Sequence, residues 1–476
     1  MRLFVGAASV VAGAGLVAVW MLGGSGDAEV CSGNVGPKAV AACARLLATP
    51  HLDAAARSRI AASMALSKQA AGNPEAALAD FSLAVSLDPR NVAALTNRAV
   101  AHTIAQRFDL AVADYSQAMQ LEPFNAHVLA SRALVMAKLD RIDEALADLD
   151  RALSLDPKLS GALVERALIH AMRKNWEAAR ADAAAAIALS PMDVNRYKIR
   201  ASINSRSGDA NAALADLEKA VELAPGDVES VFNLALMQEH LGRIEDAIAS
   251  YGRALAIQPA LGQAYIKRGM ALLRLGRAAQ ALPDVDKAVQ INDGDAGLLR
   301  TRSIVHNLLG DHGRAIGDLE HARKLAPTNV GLAGSLGLAQ FYNGDFAASA
   351  KVLGEVFEAT PSPVEMLLGY ISRVRAGGEE NIAALADLEA AAALFPASEW
   401  PAPATDLFLG KLAPEALIAA AQTPDQRCEA LFYVGEWRLL NGDKHAARSA
   451  FAAAVAACPT TFIEAIAAAA ELRRLQ

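Results

Sequence analysis

The chain has 476 residues, 45 Lys and Arg against 52 Asp and Glu, a formal net charge of -7 and only 5% aromatic residues. That balance, with the basic residues scattered along the chain, argues against nucleic-acid binding, which needs a basic stripe. The length exceeds one ordinary core unless a repeat organises it as one body.

At the N-terminus, Arg2 precedes 20 uncharged residues, Leu3 to Leu22, enough for a helix of about 30 Å. Asp27 and Glu29 follow, an asymmetry that keeps the N-terminus in the cytoplasm and sends the rest across the membrane. Residues 1–28 are therefore expected to be a signal peptide or a signal-anchor transmembrane helix, and the length of the run favours the anchor. The expected location is periplasmic, either secreted or anchored to the inner membrane by residues 3–22. Gly13 to Ala18 imitates a dinucleotide loop but lacks the strand and the later acidic residue that such a loop requires. No cofactor and no metal are expected.

A lead-in at 29–55 carries Cys31 and Cys43; the other two cysteines are Cys428 and Cys458. Four cysteines allow three connectivities. Export to an oxidising space makes the neighbour pairing Cys31–Cys43 and Cys428–Cys458 the expectation, with free buried thiols as the alternative for the second pair.

From residue 56 to 361 a 34-residue period governs the chain. Prolines recur at Pro89, Pro123, Pro157, Pro191, Pro225 and Pro259, Asp293 holds the next place, and Pro327 and Pro361 resume the series. With that proline as position 32, position 8 runs from Ala65 through Ala235 as alanine, then Gly269, Ser303 and Gly337. Position 20 is alanine from Ala77 to Ala315 and then Ser349, and position 27 is alanine from Ala84 to Ala322 and then Val356. Helix axes 8–10 Å apart leave no room for branched side chains where they cross. This pattern resembles the tetratricopeptide repeat, and the resemblance implies nine stacked helix–turn–helix units in an all-α, right-handed superhelical solenoid.

Position 7 carries Arg98, Arg132, Arg166, Arg200, Arg268 and Arg302, and each has an aspartate 16 residues later, at Asp114, Asp148, Asp182, Asp216, Asp284 and Asp318. Where Leu234 or Leu336 replaces the arginine, Ser250 or Val352 replaces the aspartate; Met64 opposite Asp80 breaks the rule. The joint change predicts partly buried ion pairs between the two helices of each repeat, because a buried charge without its partner is costly whereas an apolar pair can replace both.

The period slips over 362–424, an irregular repeat and linker whose prolines disfavour a continuous helix. A final repeat-like pair with a capping helix is expected over 425–476. Trp400-Pro401, Leu407 to Lys411, Cys428 to Trp437 and Phe462 to Glu464 are similar to the ending of NlpI-like envelope lipoproteins. That resemblance implies an adaptor docking envelope proteases and cell-wall hydrolases, although this chain lacks the lipid-attachment cysteine and has more repeats.

No metalloprotease helix or phosphate loop occurs. Ala333-Gly334-Ser335-Leu336-Gly337 departs from a nucleophile elbow at its first residue and sits inside a helical pattern. The functional expectation is thus a non-catalytic scaffold whose concave groove, lined by the first helix of each repeat, holds partner proteins. A scaffold within a polysaccharide-synthesis or secretion assembly is the alternative. Groove candidates are Thr96, Asn97, Lys198, Phe232, Ile266, Met270, Arg300 and Ile304, an apolar row with two cations suited to a helical or extended segment; part of this row could equally be core.

Overall fold

The computed structural model describes residues 26–33, 35–377, 381–396 and 399–476. The apolar run at 3–22 lies outside them. Among the described residues every regular element is an α-helix, and none is long and apolar enough to cross a membrane. The chain divides into two compact units, up to Pro225 and from Gly226 onward.

The first unit opens with two short helices, Gly26–Gly33 and Pro37–Leu47, joined by the Cys31–Cys43 disulfide. A boundary at 28/29 therefore falls inside a helix rather than ahead of one. Five hairpins follow: Ala54–Ala70 with Pro74–Leu87, Val92–Ile104 with Phe108–Leu121, Ala126–Lys138 with Ile142–Leu155, Ser160–Met172 with Trp176–Leu189, and Val194–Arg206 with Ala210–Leu223. The helices start where they do for a local reason. Asn91, Asn125 and Asp193, just after the recurrent prolines, each accept a hydrogen bond from a backbone N–H of the first turn.

The second unit has four hairpins of the same kind: Val228–His240 with Ile244–Ile257, Gly262–Arg274 with Ala278–Ile291, Ala296–Leu309 with His312–Leu325, and Val330–Asn343 with Phe346–Ala359. The segment expected to be irregular holds one more hairpin, Pro363–Ala376 with Asn381–Ala392, and two short helices, Ala402–Phe408 and Pro414–Ala420. Pro424–Leu440, Lys444–Ala457 and Ile463–Arg474 complete the chain, with Cys428 and Cys458 disulfide-bonded.

Packing follows the small positions. Ala65, Ala99, Ala133, Ala111, Ala145, Ala179, Ala84, Ala118 and Ala152 are all fully buried. Large side chains at position 24 fill the spaces between them, with Phe81, Leu149, Tyr251, Leu319 and Leu353 fully enclosed. The closest approach is at Gly435, where a Cβ would stand 2.6 Å from the Phe451 ring. At position 15 the turn between the two helices takes positive φ, at Gly208 (88°) but also at Gln106, Asp140 and Lys174 (58–60°); aspartate tolerates that conformation, whereas Gln106 and Lys174 hold the turn with side chains that disfavour it.

Candidate binding face of the first helices

The geometry that recurs inside six of the hairpins is ionic as well as steric. In repeat after repeat the position-7 arginine donates two near-parallel bonds to the position-23 aspartate: Arg98 to Asp114 at 2.8 and 2.6 Å, Arg132 to Asp148 at 2.7 and 2.8 Å, and Arg166 to Asp182 at 2.8 Å twice. Arg200–Asp216, Arg268–Asp284 and Arg302–Asp318 do the same, their closest contacts all 2.6 Å. The aspartates are buried and the arginines about a quarter exposed or less. Hydrogen bonding to the paired aspartate raises the guanidinium pKa of Arg166, Arg200, Arg268 and Arg302 further above its ordinary value. These side chains are therefore consumed in holding the hairpins, and they do not form a free row that could grip an anion.

Three features of this ladder are not in the position-7 pattern. Asp80, opposite Met64, pairs with Lys68 at 2.6 Å, a cation one helical turn further on. Arg166 also reaches Asp150 at 2.7 Å and Arg302 reaches Asp286 at 3.2 Å, both in the preceding repeat, so the same guanidinium ties hairpin to hairpin. His102, His170 and His306 lie 3.9–4.0 Å from Asp114, Asp182 and Asp318, one turn beyond the arginine; burial pushes the pKa of His102 down.

The groove candidates separate into two groups. In the second unit Phe232 packs its ring 5.7 Å from that of Tyr251, and Ile266 lies half-buried against the Val289–Leu298 cluster; both belong to the edge of the core. Met270 and Ile304, at position 9 of successive first helices, are 45% and 41% exposed. Arg300 is exposed and donates to Ser335 Oγ of the next first helix at 3.2 Å. Ser335 lies within helix Val330–Asn343, with its own hydroxyl bonded to the Gly331 carbonyl. In the first unit Thr96, Asn97 and Lys198 are half-buried, and the Thr96 hydroxyl is returned to the Val92 carbonyl of its own helix.

The structure adds residues at position 13, one turn beyond position 9 on the same helix face. Ile104 and Met172 are 55% and 46% exposed there, and Lys138 and Arg206 occupy the same place in the third and fifth repeats, both exposed. The Arg206 guanidinium lies 5.6 Å over the Trp176 ring. Glu165, at position 6, is half-buried on this face; burial pushes its carboxyl pKa up, against the pull of Lys138. An open apolar and cationic strip with one poorly solvated carboxyl is suited to a protein segment. Among the described residues no group of three or more His, Cys, Asp or Glu is placed to hold a metal.

The tetratricopeptide-repeat family model matches residues 63–126, 131–193 and 201–262, and the described residues on either side of them fold into helical hairpins of the same kind. No curated protein matches it. Similar solved structures include the C-terminal part of a TPR repeat-containing protein from Cytophaga hutchinsonii, 16% identical over 51% of this chain and 99% of that one, TM-score 0.46. Two others are the type IV pilus biogenesis factor PilW, 21% identical over 42% and 94%, TM-score 0.40, and YrrB, a TPR protein with an unusual peptide-binding site, 20% identical over 38% and 92%, TM-score 0.34.

Proposed function

We propose that this tetratricopeptide-repeat chain is a non-catalytic adaptor of the bacterial envelope, holding segments of partner proteins against its first-helix faces. Repeats of this family generally bind other proteins or peptides. The observation that carries the reading here is the open strip of Ile104, Lys138, Met172 and Arg206, with Met270, Ile304 and Arg300 on the second unit. Apolar side chains flanked by cations on a helical face receive an amphipathic segment, whose anchors enter between the repeats.

Two features support the envelope. Cys31–Cys43 and Cys428–Cys458 are both bridged, and such bonds persist in oxidising compartments. The 20-residue apolar run after Arg2 has the length and flanks of an export signal or anchor. Envelope proteases and cell-wall hydrolases, implied by the resemblance of the C-terminal end, are the first partners to examine.

The test replaces Ile104 and Met172 by glutamate in the full chain. Both side chains are about half exposed, so the fold should melt unchanged while partner co-purification from envelope extracts falls at least tenfold. Undiminished co-purification would exclude this face.

A further inference from the structure

The last helix, Ile463–Arg474, does more than close the final hairpin. It packs against Pro424–Leu440 and Lys444–Ala457, and it also runs back onto Val330–Asn343, the first helix of the ninth repeat. Its inward face is rich in alanine, Ala467 and Ala468 fully enclosed and Ala470 nearly so, with half-buried Ile463, Ile466 and Leu472 packed on the same core. Each enclosed alanine buries little apolar area, so polar contacts join the packing of Ile463, Ile466 and Leu472 in fixing this helix.

Those contacts reach far along the unit. Glu471, with no exposed side-chain surface, accepts bonds from Arg375 at 2.9 and 3.2 Å, and Arg375 also donates to the enclosed Glu436 at 3.0 Å. The Arg375 guanidinium sits 4.1 Å over the Phe346 ring. Arg474 donates to the Tyr342 carbonyl at 2.7 Å, and Arg473 meets His312 Nε2 at 2.7 Å. His312 Nδ1 lies 3.0 Å from Asn307 Oδ1. Because an amide oxygen only accepts, Nδ1 carries the proton and Nε2 offers its lone pair to Arg473.

Two details set this apart from a permanent cap. Glu436 Oε1 makes no hydrogen bond although it is buried, and a buried ionic network left partly unsatisfied is costly. Tyr342, at position 13, is 3% exposed beneath the helix, whereas Ile104 and Met172 at the same position in the second and fourth repeats are open. The helix thus covers on its own unit the kind of surface that other repeats leave bare.

We propose that helix Ile463–Arg474 is an exchangeable self-ligand, and that the surface of Val330–Asn343, Pro363–Ala376 and Pro424–Leu440 beneath it receives a partner helix of the same chemistry. That chemistry is an alanine-rich face, a glutamate for Arg375 and an arginine for the Tyr342 carbonyl. The proposal rests on the first-helix face being a protein-binding surface.

Hydrogen exchange on the wild-type full chain gives the first test. Amides of 466–474 should exchange at least tenfold faster than those of 330–343 and 424–440. In the second test a fluorescent peptide of residues 459–476, which supplies both arginines, should bind the Arg473→Ala/Arg474→Ala chain at least tenfold more tightly than the wild type. Amides of 466–474 exchanging together with 424–440, or no peptide binding by a variant that melts like the wild type, overturns the proposal. If the variant fails to fold, the wild-type exchange decides alone. Neither result bears on partner binding at Ile104 and Met172 in the first unit, so the two readings fail separately.

Discussion

Arg132 donates to both carboxylate oxygens of Asp148, at 2.7 and 2.8 Å, and the same guanidinium bonds Ser116 of the preceding repeat at 3.0 Å. Removing only the arginine leaves a buried carboxylate unpaired. Arg132→Leu should cost about 2–4 kcal/mol in urea unfolding. Adding Asp148→Ser, the pairing that accompanies leucine in the sixth repeat, should recover at least about 1 kcal/mol. A double-mutant cycle without coupling would contradict the pairing as a source of stability.

Lys174 takes φ of 60° at the turn position where Gly208 and Gly242 stand in the fifth and sixth repeats. A side chain there costs about 1–2 kcal/mol, partly offset by the greater unfolded freedom of glycine. Lys174→Gly should therefore raise the urea midpoint by an amount equivalent to about 0.5–1 kcal/mol. A lower midpoint would mean that the lysine makes contacts worth more than the backbone strain.

At Gly435 the opposite holds. A methyl there would meet the rigid, fully buried Phe451 ring at 2.6 Å. Gly435→Ala should destabilise the final hairpin by about 1–3 kcal/mol despite its better helix propensity, read as faster amide exchange across 424–457. Unchanged exchange would show that the hairpin can part at no cost.

The C-terminal module also predicts a pH dependence. Burial lifts the Glu464 carboxyl from its ordinary 4.5 to about 7, with Glu429 adding to the rise. A carboxyl whose pKa is raised by folding contributes stability that is present below about 4.5 and lost as pH climbs through about 7. The loss by pH 8 is on the order of 3 kcal/mol, and Glu464→Gln should abolish it. His312 acts in the other direction. Burial, then Arg473 and Arg474, lower it from 6.5 to about 4, so its contribution holds above 6.5 and disappears as pH falls through 4. Melting temperatures from pH 3 to 9 should pass through a maximum in mildly acidic buffer; a curve still rising at pH 8 would contradict the Glu464 part.

Much of the hairpin architecture is legible in the sequence because a strict period forces each small residue into the same crossing. Local rules also show where first helices begin, as at Asn91 and Asn125. What depends on stacking is less legible. Asp150 and Asp286 lie one repeat before the arginines they meet, a relation that only neighbouring hairpins in contact reveal. Lys68 replaces the missing arginine from a different turn of the helix, so a fixed-position comparison passes over it. The groove candidates legible in the sequence stand at positions 5, 6 and 9, whereas Ile104 and Met172, open apolar residues of the first unit, stand at position 13. Their place one turn further along a helix was the available signal. The return of Ile463–Arg474 onto Val330–Asn343 has no periodic signature, because its alanines suit any close helix contact and its anchors come from residues more than 90 positions apart, as with Arg375 and Glu471.

The most direct measurement of protein binding through this face is photo-crosslinking in intact cells. A photoreactive residue is placed in turn at Ile104, Met172, Met270 and Ile304, and at Leu83 and Leu110 on second helices as exposed controls. Defined partner adducts from the first-helix positions and none from the controls are the expected outcome. Adducts formed equally from Leu83 and Leu110, or from those two alone, would contradict it.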